Sequence, residues 1–416
     1  MTDPAAPGGT VPALAEFEEA RRIVSRVARR TPMESSRYLA DRLGVPVYLK
    51  AENLQRTGSY KLRGAYYRMS RLGPEERARG VVAASAGNHA QGVAFAAREL
   101  GIRATIFMPV GVALPKLEAT KSYGARVVLH GDNVGETLEA AAEYAEAHRA
   151  VIIPPYDHRD IIIGQGTLGL EILEQAPDAG TLVVPIGGGG LIAGTAAAAK
   201  QAARAAGREI RIVGVQAEHA SPYVASLRAG ELVSVPVVPT IADGIAVYRP
   251  GVLNFGIVRE VVDEVVTVTD DDIARALLVL LERAKLVVEP AGAVSVAALL
   301  SGAAKVEGPT VALLSGGNID PLLMQRVVAH GLEASGRYLT LKIGLPDRPG
   351  QLARISELVA EANANVVEVM HTRHGHGLQI SEVELQLAVE TRGPEHRTEV
   401  VDVLRRAGYD PVIVGD

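Results

Sequence analysis

Lys61 is the residue whose type and surroundings say most about chemistry. It stands in Ser59-Tyr60-Lys61-Leu62-Arg63-Gly64-Ala65, among small side chains that let a bulky group come close. An amine that its neighbours desolvate, or that lies near positive charge, loses its proton more easily and becomes a nucleophile. Such an amine can condense with an aldehyde. A solvated lysine in a polar turn ahead of a helix would have the same local sequence.

Three glycine-bearing turns and one carboxylate add to it. Gly187, Gly188, Gly189 and Gly190, followed by Leu191, lie between an apolar strand and a helix. Converging N–H groups and a helix N-terminus suit a phosphate, and a tight packing turn is the alternative. Ser85-Ala86-Gly87-Asn88-His89 is also a strand-to-helix turn, able to hold a carboxylate or simply to cap the helix. His89 is as readily a structural histidine as a catalytic one. Ser315-Gly316-Gly317-Asn318 follows another strand, where ligands of open α/β sheets collect. Glu289, before Pro290, is either an anion at a helix N-terminus or a carboxylate standing behind the ligand contacts. An amine, a phosphate cradle, an amide-hydroxyl loop and a lone serine together match the needs of pyridoxal phosphate.

The elements that must position these groups alternate strand, turn and helix. Strands are expected at 47–50, 80–84, 104–108, 127–129, 181–186, 210–216, 262–267 and 310–314. Helices are expected at 11–30, 62–72, 114–123, 134–148, 167–175, 191–206, 270–285 and 291–300, with others from Ser85-Gly92 to Leu100 and from Ser315-Asn318 to His330. This rhythm predicts an α/β fold with mostly parallel sheets. Residues 331–337 read as a polar linker. From Tyr338 the order becomes β-α-β-β-α-β, a small α+β ferredoxin-like domain over 338–416.

Composition narrows the function. The chain has 416 residues and a net charge of −5, which gives no electrostatic reason to bind nucleic acid or an anionic membrane. It has no cysteine, which excludes disulfides, thiolate metal sites and a cysteine nucleophile. The N-terminus lacks a basic cluster followed by an apolar run, so no signal peptide is expected. The uncharged run 181–199 contains Pro185 and the glycines, and reads as strand, turn and helix rather than a membrane span. The expected location is the cytoplasm.

Over about residues 15–330 the chain resembles the threonine ammonia-lyase family, of the tryptophan-synthase-β-like, fold type II pyridoxal phosphate enzymes. S-Y-K-L-R-G-A, S-A-G-N-H-A-Q-G, G-G-G-G-L and S-G-G-N occur in the family order. The resemblance implies a two-lobed catalytic domain over 1–330, the smaller lobe at about 45–150 inserted in the larger. It implies that Lys61 bonds to the cofactor aldehyde and moves the Cα proton, and that Asn88 serves the pyridine O3′. Gly187 to Gly190 with Leu191 would hold the phosphate. Ser315 would face the pyridine nitrogen, and Ser85, Ala86, Gly87, Asn88 and His89 the substrate carboxylate. The implied reaction is β-elimination of water from L-threonine, giving 2-oxobutanoate and ammonia, and from L-serine, giving pyruvate. It would serve isoleucine synthesis or threonine catabolism.

Two rival readings stand beside this one. Serine racemase is similar, but has a second serine base where Ala86 stands here. Its divalent-cation ligands would fall at Gln216 and Pro222, neither acidic, so no metal is expected. A catalytically inactive amino-acid sensor is the non-enzyme alternative. The tail resembles an ACT regulatory domain, carried by the turn Asp347-Arg348-Pro349-Gly350. This implies an amino-acid effector such as isoleucine or valine near those four residues, and a homodimer or homotetramer.

Overall fold

The computed structural model describes residues 10–373 and 382–414. The chain divides into two compact units, Met1–Pro321 and Leu322–Asp416.

The first unit is built on two sheets. The larger has six strands in the order Met33–Ser35, Val47–Ala51, Thr310–Leu314, Thr181–Pro185, Arg211–Ala217, Glu264–Val268. All neighbours run parallel except the first pair. The central strands are buried on both faces, as parallel strands covered by helices must be. The smaller sheet is wholly parallel, in the order Arg126–Leu129, Ala104–Met108, Val81–Ala84, Val151–Ile152. Its strand order reverses between Val81–Ala84 and Val151–Ile152. The crevice of a parallel sheet opens at such a switch point, outside the carboxyl ends of the strands. The Ser85 turn and Pro154-Pro155 leave the sheet there.

The helix Arg159–Gln175 begins eight residues before the expected Thr167 and is buried without a break from Ile161 to Leu173. Its glycines hid it from a periodicity reading, because they resemble breakers. They serve close packing instead. A Cβ on Gly164 would lie 2.7 Å from the Gly64 Cα, and one on Gly169 would lie 2.4 Å from the Thr195 carbonyl. Helices Lys61–Ser70 and Gly190–Ala205 can therefore close on it from two sides.

Other boundaries moved. The first helix is Leu14–Val24, shorter than 11–30. Just past its end the Ser25 hydroxyl donates to the Arg22 carbonyl at 3.3 Å, and such local bonds compete with helix continuation. Pro222–Ala229 and Val252–Val261 are helices to which the sequence reading gave no element. Asp270–Val279 is capped by Thr269 and passes into a π-helical turn, Leu280–Ala284.

Helix Pro321–Ala334, all but its first residue in the second unit, runs on through Gly331 into the stretch expected to be linker. Four antiparallel strands follow in the order Asn365–Thr372, Glu382–Glu390, Tyr338–Pro346, Pro411–Ile413, with helices Gln351–Glu361 and Pro394–Arg406. Leu339, Leu341, Ile343 and Leu345 alternate with more exposed residues and are buried, as a strand with one covered face requires. Residues 380–391 also read from their alternation as one strand of the β-α-β-β-α-β order, and the first two of them lie outside the described residues.

Candidate active site

Lys61 is the first residue of helix Lys61–Ser70, after the N-cap Tyr60. The approach is stitched to the Ser315 turn. The Tyr60 N–H donates to the Ser315 carbonyl at 3.1 Å, Gly317 N–H to the Gly58 carbonyl at 2.8 Å, and Ser59 bridges Gly316. Helix Asn88–Leu100 approaches so closely that a Cβ on Gly92 would lie 3.1 Å from the Lys61 carbonyl carbon. The lysine backbone is therefore held by three segments far apart in sequence.

The Lys61 side chain is half-buried and its Nζ donates to the Pro155 carbonyl at 3.0 Å. Burial pushes the amine down to about 8, against the opposing pull of the Glu289 carboxylate. At pH 7.5 about a quarter of such amines are unprotonated, against about one in a thousand for an ordinary lysine. Burial likewise pushes the Glu289 carboxyl up to about 7, opposed by a hydrogen bond from Asn88. That bond, Asn88 Nδ2 to Glu289 Oε1, measures 2.6 Å. Asn318 Nδ2 donates to Asn88 Oδ1 at 2.8 Å and to the Thr57 carbonyl at 2.8 Å. The Asn88 amide is thus oriented from both ends, and among the described residues its second N–H has no acceptor.

The turn that carries Asn88 presents main-chain donors. The Ser85 hydroxyl accepts from Gly87 N–H at 3.2 Å. Among the described residues no backbone or side-chain acceptor takes the N–H groups of Asn88, His89 and Ala90, the first turn of the helix. The His89 ring is committed elsewhere, its Nε2 2.8 Å from the Ile153 carbonyl. Burial, with the Lys61 charge, holds the imidazole down at about 3, so it is neutral and donates there. Ser315 is buried at the end of Thr310–Leu314.

The glycine turn shows both features weighed from its sequence. Gly189 has φ +97° and caps helix Gly190–Ala205. A Cβ on Gly188 would meet the Tyr156 ring at 2.4 Å, and one on Gly189 the Tyr223 Oη at 1.8 Å, so packing alone forbids side chains. The Gly188 carbonyl is turned inward, accepting from Asn254 Nδ2 at 2.8 Å, Tyr223 Oη at 3.1 Å and Gly251 N–H at 3.1 Å. The N–H groups of Gly187 to Ile192 have no acceptor among the described residues. A row of unpaired donors at a helix N-terminus fits a phosphate. Together with the depressed amine, it fits pyridoxal phosphate.

Pro155, Tyr156, Tyr223 and Asn254 were not singled out in the sequence. They act through a carbonyl, a ring face and bonds to Gly188 that no local pattern announces. The four residues of the Asp347 turn lie in the second unit. Gly350 has φ +93° and precedes helix Gln351–Glu361, and Arg373 Nη2 stands 3.5 Å from Asp347 Oδ1.

Comparison with known proteins agrees with this chemistry. Residues 24–316 match the family described as Pyridoxal-phosphate dependent enzyme, and residues 339–408 match the ACT domain. The chain is 47% identical over 394 residues to the L-threonine ammonia-lyase of Geobacter sulfurreducens, covering 94% of this chain and 97% of that protein. Among solved structures it is similar to the processed form of threonine deaminase isoform 2 from Solanum lycopersicum. There the TM-score is 0.73 and the identity 38%, over 78% of this chain and 95% of that one. Maize serine racemase is similar at a TM-score of 0.72 and 34% identity, over 78% of this chain and 99% of that one.

Proposed function

The chain belongs to the pyridoxal-phosphate dependent enzymes, in their threonine ammonia-lyase group, with a C-terminal ACT domain, and we propose that it deaminates L-threonine to 2-oxobutanoate and ammonia. L-Serine would give pyruvate by the same route. The observation that carries this reading is Lys61, a lysine pushed down to about 8, stitched to the Ser315 turn. The donors of Gly187 to Leu191 would hold the cofactor phosphate. Lys61 would hold its aldehyde carbon, Asn88 its O3′ and Ser315 its ring nitrogen. Glu289 stands behind Asn88 and keeps its amide turned to the ligand.

Bound there, the cofactor supplies a sink for the electron pair left at Cα. The helix N-terminus at Ser85, Ala86, Gly87, Asn88 and His89 binds the substrate carboxylate through main-chain N–H groups. Lys61 Nζ, released when the substrate's own amine takes its place on the aldehyde carbon, would take the Cα proton. The β-hydroxyl would then leave as water with the proton that Lys61 Nζ took, and the released enamine hydrolyses to the oxo acid and ammonia. Ala86 carries no proton, so no second base answers Lys61 from its position. Elimination is therefore favoured over racemisation.

Residues 1–330 serve as the catalytic domain and 338–416 as the regulatory one. Asp347 to Gly350 would contact isoleucine or valine, and assembly as a homodimer or homotetramer in the cytoplasm follows from the same reading. Among the described residues no helix is long and apolar enough to cross a membrane. The test is spectroscopic and kinetic. Protein supplied with pyridoxal phosphate should take it up, borohydride should fix it to Lys61, and L-threonine should be consumed. Lys61→Ala should abolish the borohydride fixation and the consumption of L-threonine. A protein that turns over threonine equally well without this amine refutes the reading.

A further inference from the structure

We propose that Arg63 is a positioning residue for Lys61, acting through a buried network of four charges that fixes the first turn of the lysine helix. The inference rests on the reading of Lys61 as the amine that holds the cofactor.

Arg63 lies two positions after Lys61, which is roughly 200° around a helix. The two side chains therefore leave the same turn on opposite sides. Lys61 goes to the Pro155 carbonyl. Arg63 goes the other way, into two carboxylates. Its Nε donates to Glu52 Oε2 at 2.8 Å, and its Nη2 to Glu52 Oε1 at 2.8 Å and Glu171 Oε2 at 2.9 Å. Lys50 Nζ closes the network, donating to Glu171 Oε1 at 2.6 Å, Gln175 Oε1 at 2.7 Å and the Thr31 carbonyl at 2.8 Å. Thr31 Oγ1 donates to Glu52 Oε1 at 2.6 Å.

All four charged residues are out of water. Lys50 and Glu52 are 0% exposed, Arg63 2% and Glu171 8%. Such a network contributes little net stability, because desolvation offsets the attraction between the charges. What it does supply is direction. The guanidinium is a planar fork whose bonds fix its orientation, unlike a point charge.

The other sides of this turn are held by close contact and by two main-chain bonds, Tyr60 N–H to the Ser315 carbonyl at 3.1 Å and Gly64 N–H to Gln165 Oε1 at 3.2 Å. A Cβ on Gly92 would lie 3.1 Å from the Lys61 carbonyl carbon, and one on Gly64 would lie 2.5 Å from Gln165 Nε2. Contact limits how near the helix can come, and each of these bonds holds it through a single main-chain N–H. The Arg63 fork adds three charged bonds on the side away from the Lys61 amine, and with Lys50 they tie the turn to strand Val47–Ala51, to Glu52–Leu54 and to helix Arg159–Gln175.

A lysine at position 63 keeps the charge and loses the fork. A cleft of about 190 Å³, lined by Arg21, Arg30, Arg63 and Glu171 among others, reaches the network and gives water access to the shorter side chain. Arg63→Lys should therefore fold.

The experiment compares wild type, Arg63→Lys and Glu171→Gln as full-length proteins. It measures three things: the fraction of bound cofactor that borohydride fixes to Lys61, the steady-state kinetics on L-threonine, and amide hydrogen exchange of residues 61–66 without cofactor. A misplacement near 1 Å costs about a hundredfold in rate, so Arg63→Lys should lower kcat about 10- to 100-fold with little change in KM. Its fixed fraction should fall by about half or more. Exchange in the first helical turn should speed up about tenfold, since an opened turn exchanges faster. Glu171→Gln should move the same three readouts less far, and decides the matter should Arg63→Lys not fold. Variants that only melt earlier, with all three readouts unchanged, overturn the proposal. A wild type with no reducible linkage would instead overturn the functional reading, and the cofactor-free exchange would still decide the role of Arg63.

Discussion

Replacing Glu289 by Gln should make the cofactor-free protein more stable at alkaline pH. Glu289 is 9% exposed, and burial pushes its carboxyl from 4.5 up to about 7, against a lowering by the Asn88 hydrogen bond. The folded state therefore binds this proton more tightly than the unfolded chain does. Below pH 4.5 the group is protonated in both states and carries no penalty. As pH rises from 4.5 through 7, the folded protein must either keep a proton that the unfolded chain has released or hold a buried carboxylate. Stability falls throughout that window. The full loss is about 3 kcal/mol above pH 8, and less than about 1 kcal/mol at pH 5. Glutamine accepts the same bond from Asn88 and does not titrate. Whatever it changes in packing is independent of pH, so it cancels between two pH values. The gap between the Glu289→Gln variant and wild type, measured by denaturant unfolding of cofactor-free protein, should therefore shift by about 2 to 3 kcal/mol in favour of the variant from pH 5 to pH 8.5. An equal gap at both pH values would show that Glu289 does not titrate differently in the fold, and the account of its electrostatics would fail.

Gly189→Ala should cost about 2 to 4 kcal/mol and weaken cofactor retention, since it adds left-handed strain at φ +97° to a Cβ at 1.8 Å from Tyr223 Oη. Thermal unfolding and dialysis against free cofactor check this, and an unchanged melting point refutes the packing argument. Ala86→Ser places a hydroxyl where the related racemases have their second base, so the variant should form D-serine from L-serine while the wild type should not. Chiral chromatography reads both, and racemisation by the wild type would contradict the one-base account. Isoleucine or valine should change the velocity or raise the melting temperature, and no response to either would leave the ACT domain a structural role.

Much of the fold could be read because its parallel strands are short apolar runs between glycine turns. Ala104–Met108, Thr310–Leu314 and Val134–His148 have the bounds expected of them. The readings went astray where glycine has two meanings. In the turn before helix Gly190–Ala205 it supplies a left-handed backbone, as its position between strand and helix suggests. In helix Arg159–Gln175 it lets two other helices touch the backbone, and a local pattern cannot distinguish that from a break. Helices Pro222–Ala229 and Val252–Val261 were missed for a related reason. Their roles are to place Tyr223 and Asn254 against Gly188, a contact across more than thirty residues that leaves no periodic trace.

The candidate site was legible as a set of loops, and the long-range geometry was not. Lys61, Asn88, Glu289, Ser315 and the glycines each sit at the end of a strand or the start of a helix, where unpaired donors gather. Their neighbours follow from sheet order. The smaller sheet reverses its order beside Val81–Ala84, which brings Pro155 to Lys61. The larger sheet sets Thr310–Leu314 between Val47–Ala51 and Thr181–Pro185, which brings Ser315 to Tyr60. The depressed amine is then a consequence of topology rather than of its neighbours in sequence. Burial lowers the Lys61 pKa, while the Glu289 carboxylate works against that shift. The sequence shows which residue could be the nucleophile. Only the packing of two sheets, and the helices their glycines bring together, makes it one.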